Sequence, residues 1–226
     1  MPAGAQTVAD DSVLPAVEIR SRKNAGDAPY AAAYQLQQRV MALLPPEPRL
    51  IDLRLRVMFV DLTLRERDDF MPPNWGVAIV GTTIDEVIPM ARGGYFLLPD
   101  RPLARGENAT VMFNTQTKVN FIGMTWSVRV REGNLLPYRD FAQALAQFDA
   151  AKRKVHWYQR GLAEFSQVRM SALRACFVGQ GAVLLDGAAS GAVLQGRCWI
   201  LGFDQARAAS DAVISFNGEL ESLTLH

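Results

Sequence analysis

At 226 residues, 49% hydrophobic and 21% charged, the chain can bury a core in one large domain or two of about 100 residues each. This composition excludes a disordered chain outside the ends, and a formal charge of +1 leaves no footprint for nucleic acid or an anionic membrane. No apolar run approaches the roughly 20 residues that a membrane-spanning helix requires, so no transmembrane segment is expected.

Residues 1–28 read as an irregular arm, in which Ser12 to Arg20 can add an edge strand. Ala3-Gly4-Ala5 fits the small-x-small pattern of a cleavage site. That implies a periplasmic or secreted chain whose leader has been removed; a cytoplasmic start of small residues is the alternative. Residues 29–49 hold a helix and a linker. Pro29 suits a first helical turn, Tyr30 to Leu44 is rich in helix formers, and Pro45-Pro46-Glu47-Pro48 stops the helix. Tyr30, Tyr34, Gln37, Met41 and Leu44 trace one face.

From Leu50 the period changes to two. Leu53, Leu55 and Val57 alternate with Arg54 and Arg56, the mark of a half-buried strand. Short apolar runs follow at Gly76–Gly81, Thr82–Met90, Tyr95–Pro99, Ala109–Asn114 and Lys118–Glu132, cut by turn residues. A polar connection separates Pro99 from Ala109. Residues 50–136 therefore predict a first β module, a sandwich or small barrel. Residues 137–168 predict a helical bridge, either one long helix from Tyr138 to Phe165 or two short ones, since Gly161 weakens the pattern. Residues 169–226 return to glycine-cut apolar runs and predict a second, smaller β module.

The two β regions resemble each other. Sliding the chain by 103 positions lays Gly93 on Gly196 and Asn114 on Asn217 without a gap. Five of those 22 pairs are identical, against about one or two by chance, and Phe96 on Trp199, Leu97 on Ile200 and Val111 on Ile214 are conservative. Upstream, Leu53–Met58 and Leu173–Val178 open their segments alike. The spacing fits a duplicated domain better than a solenoid.

Val87 to Asp100, followed by Asn108 to Asn114, resembles the prealbumin-like, or carboxypeptidase-regulatory-like, β sandwich, where a glycine turn leads into an aromatic-aliphatic strand ending at proline. The resemblance covers about residues 50–130 and, more faintly, 170–226, where Gly202 stands in place of Pro99. It implies some seven strands per module and an exported setting, and it carries no catalytic residues. The expected fold is mostly β with helices: two small β-sandwich modules joined by a helical segment.

Cys176 and Cys198 match neither a zinc framework nor a Cys-x-x-Cys pair. They are either one disulfide or two buried thiols. Of the two histidines, His226 ends the chain and His156 lies on the expected helix without a partner Cys, Asp or Glu at helical spacing. The pairs Asp10-Asp11, Asp68-Asp69 and Asp85-Glu86 read as solvated turns, because neighbours on a strand face opposite ways. Asn108-Ala109-Thr110 matches a glycosylation acceptor and is read as accidental. Trp75 and Trp126 read as core, with an aromatic surface for a sugar or peptide as the alternative. No nucleophile, phosphate-loop or metal motif is present, so neither cofactor nor metal is expected. The expectation is a non-catalytic exported binding or scaffold protein of a bacterial cell envelope, meeting a protein or polymer partner through sheet edges and loops. The alternative is a hydrolase with a site between the modules, using carboxylates such as Asp140 or Asp149.

Overall fold

The computed structural model describes residues 26–59, 76–91, 94–113, 120–155 and 168–226. The fold is mostly β. In chain order the first half runs β1 (Ala28–Pro29), α1 (Tyr30–Met41), β2 (Ile51–Phe59), β3 (Val77–Val80), β4 (Asp85–Ile88), β5 (Tyr95–Phe96), α2 (Pro102–Gly106), β6 (Thr110–Phe113) and β7 (Asn120–Val128). The second half runs β8 (Leu135–Pro137), α3 (Tyr138–Arg153), β9 (Ala172–Phe177), β10 (Ala182–Leu185), β11 (Ala188–Ala189), β12 (Val193–Gln195), β13 (Cys198–Gly202), a 3-10 turn (Gln205–Arg207), β14 (Val213–Asn217) and β15 (Leu220–Leu225). Among the described residues these strands form three antiparallel sheets. Two have four strands, β1-β6-β3-β4 and β11-β10-β14-β8; the third has seven, β12-β13-β9-β15-β7-β2-β5.

Strand order and register recur between the halves. Pro29 faces Thr110 as Pro137 faces Val213, and Val77 faces Phe113 as Val183 faces Phe216. In the seven-stranded sheet Leu55 faces Phe96 as Ala175 faces Trp199, while Arg56 faces Tyr95 as Cys176 faces Cys198. Both longer helices start at a Pro-Tyr step. The proline at the N-cap holds φ near −56° or −54°, and the tyrosine N–H then reaches across to the carbonyl of Ala109 or Ala212, each 2.8 Å away. The phenol of each tyrosine is fixed the same way: Arg101 N–H donates to Tyr30 Oη at 2.8 Å, and Asp204 N–H donates to Tyr138 Oη at 2.6 Å. β8, which spans the expected boundary at residue 136, hydrogen-bonds β14 of the later half.

Local chemistry explains several differences from the sequence pattern. Tyr95–Pro99 reads as one strand, yet only Tyr95 and Phe96 pair with β2. Gln37 of α1 claims the backbone of Leu98 instead: its Nε2 donates to the Leu98 carbonyl and its Oε1 accepts from the Leu98 N–H, both at 2.9 Å. This also explains an amide on the buried face of α1, since a buried polar group must find partners. The expected polar connection after Pro99 contains α2, with Pro102 in its first turn and Ala104 buried. Asp186-Gly187, both at positive φ (51° and 79°), make the two-residue turn between β10 and β11. The arm before residue 26 lies outside the described residues, as do Gly161 and the rest of 156–167.

Buried apolar side chains form one continuous cluster across both halves. α3 is therefore more than a connector. Its stripe of Tyr138, Phe141, Ala144, Phe148 and Ala151 is buried, and Phe148 meets Trp126 of β7 edge-on at 5.5 Å. Gln147 Oε1 accepts from Leu50 N–H at 2.9 Å, tying α3 to the entry of β2. Asp140 in the first turn and Lys152 and Arg153 in the last suit the helix dipole.

Candidate functional site

Leu53 and Leu55 of β2 enter the core, so Asp52, Arg54 and Arg56 project from the other face of the seven-stranded sheet. One rung on that face runs Ile200, Arg174, Thr224, Ser127, Asp52 across five strands. β15 and β7, where the halves meet, pair only at Thr224 and Ser127, and a register shift between Leu220 and Ser222 bends β15.

This face is closed at one end and open at the other. At the closed end Arg56 and Arg174 are 5% and 3% exposed, against the alternation in β2, which reads Arg56 as solvated. The Arg56 guanidinium stacks 5.0 Å from the Tyr95 ring centre. Burial pushes the Arg174 guanidinium down to about 10, and the charges of Arg56 and Arg197 push the same way. Arg197 forms an ion pair with Glu221 of β15 and donates to the Phe177 carbonyl. Cys176 and Cys198 sit on the same face, opposite each other and joined as a disulfide, 2% and 1% exposed.

The open end carries a cavity of about 1020 Å³, with Asp52, Arg54, Ser127, Arg129 and Thr224 at its floor. Glu86, Ile88 to Ala91 and Tyr95 to Leu97 line it on one side, and Leu220 to Leu223 on the other. Two carboxylates here are clamped by guanidinium forks. Arg129 grips Asp52 through Nε and Nη2 at 2.6 and 2.9 Å, with Arg49 at 2.8 Å behind it. Arg101 grips Glu86 through Nη2 at 2.6 Å and through Nε. Burial pushes the Asp52 carboxyl up, but the hydrogen bonds and charge of Arg129, joined by Arg49, outweigh it and hold it below its ordinary value. The Arg101 hydrogen bond likewise holds Glu86 down. Carboxylates kept ionised in this way hold charge and geometry; neither is poised as a general acid at neutral pH.

The sign of the Asp52 shift gives a pH dependence. Its stabilising contribution is complete above the ordinary aspartate value of about 3.9 and is lost as pH falls through the lower folded value. Asp52→Asn is expected to cost about 1 kcal/mol at pH 7. The difference from the wild type should shrink progressively below about pH 4 in urea titrations. A gap that stays constant down to pH 2 contradicts the assignment.

The remaining candidates lie elsewhere. Asp140 receives Arg131 Nη2 at 2.6 Å at the start of α3, and Asp149 pairs with Lys152 at 3.3 Å; neither lines the cavity. Asp85 is exposed beside Glu86. Trp126 is 1% exposed within the core, so it offers no surface to a sugar or peptide. Asn108 sits at φ 55° in the turn before β6. His226 pairs its backbone with Ala172, and burial, with the charge of Arg174, pushes its imidazole down. His156, Trp75, Asp10-Asp11 and Asp68-Asp69 lie outside the described residues. Among the described residues no group of three or more His, Cys, Asp or Glu is placed to hold a metal, and no helix is long and apolar enough to cross a membrane. Sequence reasoning missed the forks of Arg101 and Arg129, because their partners lie 15 and 77 residues away.

The seven-stranded sheet ends on β12 beside β13. All three residues of β12 are exposed, Val193 at 61% and Leu194 at 53%. Compared with known protein families, curated proteins and solved structures, the chain matches none.

Proposed function

We propose that this chain is a non-catalytic binding or scaffold protein of a bacterial cell envelope, built from two prealbumin-like sandwich modules that descend from one duplicated unit. The recurring registers and the matched Pro-Tyr helix starts support the duplication. A cross-strand disulfide supports an exported setting, since such bonds persist in oxidising compartments. The observation that carries the binding function is β12. Shortness is its one blunting device, at three residues; it carries no lysine, proline or bulge, and with two large apolar side chains in solvent it is the template we assign to a partner strand. The partner adds a strand alongside Val193–Gln195, with main-chain hydrogen bonds for affinity and the two apolar side chains for specificity.

The test is a photo-crosslinking residue at position 194 in intact cells of the native host. It should give a discrete adduct in the envelope fraction, reduced at least about fivefold by Val193→Lys, which places a charge on the edge. The same reporter in place of Leu36 on α1 should give none. Adducts at both positions, or at neither, contradict the reading.

A further inference from the structure

The guanidinium groups around the cavity differ in what they face. Arg101 and Arg129 spend their forks on Glu86 and Asp52. Glu221 is answered by Arg197. Arg54, two residues beyond Asp52 on the same face of β2, lines the cavity and is exposed. Among the described residues it makes no ion pair or hydrogen bond. Its cross-strand neighbours are the hydroxyl-bearing Thr125 on β7 and, one step beyond the Leu55–Phe96 rung, Leu97. The surface beside it is apolar and partly open: Met90, Leu97 and Leu220 are half-buried and Pro89 is exposed, all on the cavity.

We infer that this cavity binds an acyl carboxylate, seating one anionic head on Arg54 and laying its apolar body against Pro89, Met90 and Leu97. Charge balance sets the single negative charge. The clamped groups balance: Glu86 answers Arg101, Glu221 answers Arg197, and Asp52 with Glu47 answers Arg129 and Arg49. That leaves Arg54 as the guanidinium of the lining to answer, and a ligand cation would meet carboxylates already held by arginine. Size agrees, because about 1020 Å³ stands at the top of the roughly 300–1,000 Å³ range of small-molecule sites. The site is separate from the β12 edge, so failure of one assignment leaves the other standing.

The probe is dodecanoate, titrated calorimetrically into the full chain below its micelle concentration, with 1-dodecanol and dodecyltrimethylammonium alongside. Dodecanoate should saturate at one per chain, and both comparison ligands should bind at least about tenfold more weakly, the scale of one charge-assisted hydrogen bond. Arg54→Gln should weaken dodecanoate at least about tenfold, leave dodecanol unchanged, and unfold at the wild-type midpoint because the side chain is exposed. Met90→Glu should weaken dodecanoate and dodecanol alike, by placing a charge against the acyl body. No saturable binding, equal binding by Arg54→Gln, or ammonium binding as tight as carboxylate binding overturns the assignment.

Discussion

Trp126→Ala should lower the unfolding free energy by about 3–5 kcal/mol, the cost of removing a large aromatic side chain from a closed core. Trp126 is 1% exposed, and its edge-on partner Phe148 comes from α3 in the other half of the chain. The change therefore opens a cavity at the joint between the halves. A loss of this size is a large share of the roughly 5–15 kcal/mol that stabilises a typical domain. Because the apolar cluster is continuous, wild type and variant should each unfold in one transition, with far-ultraviolet circular dichroism and fluorescence coinciding. A loss below about 1 kcal/mol would mean that α3 does not pack there. Two separated transitions in the wild type would mean that the halves hold independent cores.

Local patterns made much of the fold legible. Alternation around Leu53 and Leu55 marks β2, and Pro29 with the helix formers after it marks the start of α1. The offset of 103 between Gly93 and Gly196 matches the strand registers, because Phe96 and Trp199, like Thr110 and Val213, stand in equivalent pairings. What escaped was decided by distant partners. Alternation shows that Arg54 and Arg56 share a face but not that one end of that face is closed, so one guanidinium is exposed and the other buried. Likewise, nothing in Tyr95–Pro99 says that Gln37 will take the Leu98 backbone and end the strand.

The candidate site was less legible than the fold for the same reason. Its carboxylates, Asp52, Glu86 and Glu221, are scattered along the chain and meet only through sheet order. Asp140 and Asp149 attract notice because they sit on a helix with a clear pattern, yet each forms its ion pair on or beside that helix. Glu86 was visible only as half of an adjacent acidic pair. The reading of Asp85-Glu86 as a solvated turn fails, because both lie in strand β4, with Asp85 exposed and Glu86 half-buried; the fork from Arg101 needs the chain to return after β5.

Loss of the Cys176–Cys198 bond should cost about 3 kcal/mol, by loop-closure entropy for a sequence separation of 22. The comparison that isolates the bond is oxidised wild type against reduced wild type, with Cys176→Ala/Cys198→Ala as a third arm. The last two should unfold at similar, lower denaturant concentrations, differing by no more than the buried sulfur atoms contribute. The first half supplies an internal reference. At the matching rung Arg56 and Tyr95 hold β2 to β5 by a cation–aromatic stack instead of a covalent bond. The second half, whose β9 is shorter than β2 by three residues (six against nine), has a covalent staple at that point. Both cysteines are almost fully buried, so a reductant acts on opened molecules. Reduction should be slow in buffer and accelerate steeply with denaturant, and the oxidised protein should titrate no thiol until then. Two thiols titrating in denatured, unreduced protein purified from an oxidising compartment, or equal stability in all three arms, would remove the disulfide, and with it the physical ground for placing this chain outside the cytoplasm.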